Sequence, residues 1–138
     1  MHLVQVPKEA VAALWPWVEA YLAGAIERTL GTFTLETTKA QLIEGDRQLW
    51  IIVGEAPLRE VSAAIVTSLQ EFPSGKKALQ IELLGGVHVS AWFSLKELLE
   101  DWAKKEGCSA ALLWARKGWA KHMKDYRVTH YLMHKELN

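Results

Sequence analysis

Two apolar runs flank one amphipathic stretch in the second half of the chain, and that order leaves few folds open. ALQIELL (78–84) and SAALLWA (109–115) read as strands, and the stretch between them reads as a helix over 95–106. Leu95, Leu98, Leu99, Trp102 and Ala103 share one face of that helix. Ser94 and Glu97 stand at capping-box spacing, and Gly107 supplies a stop. A strand, a helix that packs back on it and a second strand return parallel, by a right-handed crossover. The spacing therefore predicts that 78–84 and 109–115 are parallel neighbours.

Upstream, QLWIIV (48–53) and EVSAAIVTSL (60–69) precede ALQIELL with short connections, one of them the FPSGKK turn, so the three form an antiparallel run. His2 to Val6 reads as a short strand stopped by Pro7. Val11, Leu14, Val18, Leu22 and Ile26 recur at helical spacing, with Pro16 predicted to divide a short helix from a longer one that Gly31 ends. TLETTKAQLIEG predicts a helix capped by Thr34, facing Leu35, Leu42 and Ile43 inward and stopped by Gly45. A short helix over 118–125 and a last strand within RVTHYLMHKEL complete the chain. The order β-αα-βββ-α-β-α-β is α/β, one domain over 1–138 built on a mixed sheet.

Composition narrows the function classes. Half of the 138 residues are hydrophobic and the formal charge is zero, which speaks against disorder and against a general polyanion binder. The charge is uneven: residues 104–138 hold 8 Lys and Arg against 3 Asp and Glu. That basic stretch carries no groove-reading motif, so a nucleic-acid partner is not expected. A single cysteine, Cys108, cannot form an internal disulfide and suits a reducing cytoplasm; without an adjacent histidine it reads as a small packed side chain. No apolar run approaches the roughly 20 residues of a membrane helix. Seven tryptophans are more than so small a core readily hides, and one or two are expected at the surface, where a partner would meet them.

The stretches LWPWVEAYLAGAIER, GDRQLWIIV, LLGG, WFSLKELLEDWAKKEGC and ARKGWAKHMKDY, with the element order above, resemble GNAT-type N-acetyltransferases. Within that fold they are similar to a group of small GNAT-like proteins commonly encoded by bacteriophages. The resemblance implies a splayed parallel strand pair with acyl-coenzyme A entering between the strands, and an amine as acceptor. It implies phosphate binding at the start of the crossover helix, where main-chain N–H groups and the helix dipole favour an anion. In this chain the interval is Gly85 to Ser94. Gly85 and Gly86 are the candidates there for close approach to the cofactor, while Val87, His88, Val89, Trp92 and Phe93 replace the family's cation and spaced glycines. Arg116, Lys117 and Trp119, at the mouth of the second splayed strand, are the candidates for holding an anionic part of acetyl-CoA. The family's general-acid tyrosine falls at Lys121 if Tyr126 is the aromatic that follows the last helix, and Tyr126 itself is expected to pack on the sheet.

Glu82 has two readings. It is a candidate general base ahead of the splay, which requires partial desolvation; its alternation with Ile81 and Leu83 also suits a carboxylate on a wet strand face. No metal site is expected: His130 and His134 on one strand face would lie roughly 13 Å apart. His122 reads as a structural histidine beside Trp119 and Met123. Two functions follow. One is an acetyl-CoA-dependent N-acetyltransferase of an unknown amine, working in the host-cell cytoplasm. The other is a catalytically silent GNAT fold that serves as a virion component or binds a phage or host protein.

Overall fold

The computed structural model describes all 138 residues. Its elements are β1 (His2–Val6), α1 (Val11–Ile26), α2 (Leu35–Glu44), β2 (Gln48–Val53), β3 (Val61–Glu71), β4 (Lys77–Gly86), α3 (Trp92–Lys105) and β5 (Ala110–Leu113). The strands form one sheet in the order β1-β2-β3-β4-β5, antiparallel except for the last pair. The crossover reading of the sequence holds: β4 and β5 are parallel neighbours with α3 between them in the chain.

α1 is one helix, not two. Pro16 lies inside it, and Val11, Trp15, Val18, Leu22 and Ala25 form a continuous buried stripe along it. A proline this near a helix start removes a single internal bond, here to the carbonyl of exposed Ala12, where water can serve. α2 starts as expected: Thr34 Oγ1 accepts from the Thr37 N–H at 3.2 Å, and Gly45 closes the helix at φ 89°. Its inward face differs, however, with Thr38 and Leu42 buried and Ile43 exposed.

Two apolar clusters occupy the two faces of the sheet. α1 and α2 cover one, through Trp15, Val18, Leu22 and Leu42 against Leu49, Ile51, Val66 and Leu83. α3 covers the other, through Trp92, Leu99 and Ala103 against Trp50, Ile65, Leu79 and Ile81. Gly85 and Gly86 are fitted to this packing. A Cβ at Gly85 would lie 2.1 Å from the Tyr21 carbonyl oxygen of α1, and one at Gly86, at φ 144°, would lie 2.3 Å from the Ser62 oxygen of β3. The protein's own backbone fills the space the glycines leave.

α3 begins at Trp92, three residues before the expected start, on a 3-10 turn over Val89–Ala91. Ser94 is therefore inside the first turn. Its hydroxyl donates back to the Ala91 carbonyl at 2.9 Å and caps nothing. The buried face also differs, since Leu98 is exposed and Lys96 is buried. Lys96 Nζ reaches Asp125 Oδ2 at 2.6 Å and lies 3.8 Å from Glu100 Oε2, so its charge is compensated within the protein.

After β5 the chain departs from expectation most. The helix predicted over 118–125 is a 3-10 turn, Lys117–Lys121, and 128–138 holds no strand. Val128, Tyr131, Leu132, Met133 and Leu137 are exposed along that segment. Tyr126 packs on α3 instead of the sheet: its hydroxyl donates to Glu100, and Lys96 Nζ sits 5.4 Å from its ring centroid. No helix is long and apolar enough to cross a membrane.

Candidate active site

The strand pair β4–β5 is joined only from Ala78–Ala110 to Ile81–Leu113. β4 then runs five residues further, to Gly86, paired with β3 alone. This divergence opens a cleft at one end of the sheet, and Glu82 is the first residue of β4 past the last β5 partner.

Glu82 is also an extra residue in its own strand. Against β3, Val66 pairs with Leu83 and Thr67 with Ile81, which leaves Glu82 as the residue of a bulge. A bulge re-aims the side chains around it. Leu79 and Ile81 belong to the α3-side cluster and Leu83 to the opposite one, so the alternation breaks just after Glu82, which keeps the face of Gln80 and gains apolar Leu83 beside it. The Glu82 side chain is only 5% exposed.

Its surroundings hold it in place and adjust its acidity. Arg47 Nε donates to Glu82 Oε1 at 2.6 Å, across 35 positions of sequence. Burial raises the carboxyl above its ordinary range, and this outweighs the opposite pull of the Arg47 charge and the Arg47 and Ser68 hydrogen bonds. A carboxylate with raised basicity beside an open cleft can accept a proton from an amine.

The space in front of it is a cavity of about 280 Å³, lined by Thr32, Phe33, Thr37, Gln41, Arg47, Gln80, Glu82 and Trp114. The loop after α1, the first turns of α2 and the end of β5 therefore all meet at Glu82. Trp114, just past β5, is 72% exposed. Trp17 is the other strongly exposed tryptophan, matching the expectation of one or two. Arg47 carried no local signal in the sequence, because its partner is supplied by a strand 35 residues away. Trp114 was visible only as one of seven indoles.

The other candidates lie on the α3 side of the cleft. Trp119 packs edge-on against Phe93, with ring centroids 5.5 Å apart, and His122 stacks on the same ring at 5.1 Å. Phe93 is in the first turn of α3, so these contacts bring the 3-10 turn that starts at Lys117 against the start of that helix. Arg116 and Lys117 are exposed there and take part in no ion pair. Neither α3 nor the 3-10 turn before it has a side-chain cap, and His88 adopts a left-handed conformation (φ 54°) at the turn's entry. The indole N–H of Trp92, the first helical residue, is buried without an acceptor in the protein. Two exposed cations beside a helix start that lacks a side-chain cap could hold an anionic group. Gly85 and Gly86 stand apart from this set, under α1 and β3.

Cys108 is half-buried, and burial raises its thiol, leaving it poorly nucleophilic. His130 and His134 are exposed, and no group of three or more metal-ligating side chains occurs.

No family model matches the sequence, and no curated protein does. Solved structures do match. An acetyltransferase from Trypanosoma brucei superposes with a TM-score of 0.66 at 11% identity, covering 99% of this chain and 99% of that one. A glucosamine-6-phosphate N-acetyltransferase from Arabidopsis thaliana gives 0.65 at 14% identity, over 99% and 98% of the two chains. A ribosomal-protein-alanine N-acetyltransferase from Brucella melitensis biovar Abortus 2308 gives 0.63 at 14%, over 98% and 99%. Likeness at such low identity reports architecture, and the architecture is full-length: this chain has the fold of the GNAT-type N-acetyltransferases.

Proposed function

We propose that the protein is an acetyl-CoA-dependent N-acetyltransferase of a small amine, with Glu82 as the general base. The observation that supports this reading best is the buried, bulge-borne Glu82 carboxylate, raised in basicity and lining a cavity where β4 parts from β5. Acetyl-CoA, when bound, supplies a thioester carbonyl as acyl donor. The remaining work falls to this chain. Main-chain N–H groups before α3, with Arg116 and Lys117, would hold the anionic end. Glu82 accepts the proton that the amine nitrogen must lose as its bond to the acyl carbon forms. Arg47 fixes the carboxylate by its hydrogen bond, so one oxygen stays directed while the group changes charge. Tyr126 is not placed to protonate the leaving sulfur, since its hydroxyl is donated to Glu100 and its ionisation is strongly suppressed by burial and that bond. The family's acid position falls at Lys121 if Tyr126 is the aromatic that follows the last helix, and the leaving thiolate would then take its proton from solvent water.

Two measurements test the reading. A thermal-shift titration with CoA and acetyl-CoA should raise the melting temperature with concentration, because a ligand of the native state stabilises it by mass action. Arg116→Ala should weaken that binding several-fold, as expected for loss of a charge-assisted phosphate contact. An assay of CoA thiol release with a panel of amines should show turnover. Binding and turnover both absent would instead mark a silent GNAT fold used for protein interaction, as in a phage particle.

A further inference from the structure

The cavity at Glu82 has a chemical character that narrows the amine. We infer that its substrate is a small amino sugar: a neutral, hydroxylated ring carrying one amine. This rests on the N-acetyltransferase reading above and deepens it.

Six of the eight lining side chains are polar, which disfavours an alkylamine. Among them the amides of Gln41 and Gln80 are half-buried and hydrogen-bonded to nothing in the protein. Each amide offers donor and acceptor together, which suits a row of hydroxyls that do both. Thr32 Oγ1 donates to the Thr29 carbonyl at 2.7 Å and keeps lone pairs for a further donor. The two hydrophobic lining residues, Phe33 and Trp114, are both aromatic. An exposed indole at a polar cavity is a platform for the C–H face of a sugar ring, whose slightly positive hydrogens meet the negative π-face.

Charge excludes the neighbouring classes. Glu82 is the single carboxylate of the cavity and Arg47 the single cation, and they are bonded to each other. A polyamine finds no further anion, and a phosphorylated amine finds no uncommitted cation. Size adds a bound: about 280 Å³ is at the small end of ligand sites, which run roughly from 300 to 1,000 Å³. That volume suits a single ring.

The test separates this inference from the proposed reaction. Saturation-transfer NMR measures binding of D-glucosamine, cyclohexylamine and L-alaninamide, with and without free CoA, where no transfer can occur. D-glucosamine should bind at least about tenfold more tightly than either comparison amine. Trp114→Ala and Gln80→Ala should each weaken it about tenfold; Trp114 is exposed, so its variant should melt like the wild type. Equal binding of cyclohexylamine, preference for L-alaninamide, no detectable glucosamine binding, or an unchanged Trp114→Ala variant would overturn the inference. Acetyl transfer is then read separately. Glucosamine bound selectively but never acetylated would refute the proposed function and leave the sugar site standing. Acetylation of L-alaninamide alone would do the reverse.

Discussion

At Glu82 one inserted position in β4 breaks the strand's alternation: Leu83 joins the α1 side of the sheet, where Gln80 and Glu82 already face one cavity. A strand alternates faces with a period of two, so a carboxylate between Ile81 and Leu83 should share the wet face with Gln80. The bulge breaks that period just after Glu82, and burial then raises the carboxyl's basicity. Nothing in IELL announces a bulge, which depends on how β3 pairs, so the burial of Glu82 was not legible in the sequence. Glu82→Gln should keep the fold and lower kcat/KM by roughly 10²–10⁴-fold, the usual contribution of a general base. In the proposed reaction Glu82 works as the anion, so kcat/KM should rise with pH through an apparent pKa above the ordinary carboxyl range. Arg47→Gln removes a charge that favours the anion, and the same limb should move to higher pH. Stability has the opposite sign. A carboxyl raised by folding contributes most below its unfolded pKa and loses that contribution as pH rises through the folded one. Chemical denaturation of wild type and Glu82→Gln across pH 4–7 should therefore show the wild type losing stability relative to the variant as pH increases.

Elements were legible where one local pattern decided them and illegible where two distant segments did. The β4–α3–β5 crossover, the antiparallel run β2–β4 and the Thr34 and Gly45 caps of α2 follow from periodicity and end signals close in sequence. The capping box at Ser94 misled because the Val89–Ala91 turn starts the helix earlier, and Lys96 is buried because Asp125 and Glu100 converge on it. These contacts clasp the segment after β5 onto α3. The Lys96 hydrogen bond holds the Asp125 carboxyl below its ordinary range, so this contribution is present above an unfolded pKa of about 3.9 and fades as pH falls below it. Protection of residues 119–126 against hydrogen exchange, taken relative to the intrinsic exchange rate at each pH, should accordingly fall in Asp125→Asn at neutral pH and in the wild type toward pH 3. Gly85 tests the other interface. Gly85→Ala sets a methyl against the Tyr21 carbonyl, and α1 must move off the sheet; a loss of about 3 kcal/mol in chemical denaturation is expected, the upper end for overpacking. Trp119 is half-buried against Phe93, and Trp119→Ala should lose about 2–3 kcal/mol, less than the roughly 3–5 of a fully buried aromatic.

For the whole molecule, helices cover the middle of the sheet on both faces, and β4 and β5 diverge at one end. α1 and α2 bring Phe33, Gln41 and Arg47 to one side of that opening, while α3 and the turn from Lys117 bring uncapped N–H groups and two cations to the other. In the proposed reaction, an acceptor pocket with a base on one side and an anion-binding helix start on the other would give the layout that acyl transfer between two substrates requires. The measurement that bears most directly on this is the rate of CoA thiol release from acetyl-CoA with D-glucosamine, for wild type and Glu82→Gln, between pH 5 and pH 9. The predicted result is amine-dependent turnover that rises with pH in the wild type and is lost by at least about 10²-fold in a variant that melts normally. Wild-type and Glu82→Gln rates that coincide across that range, or no amine-dependent release from any amine, would contradict it.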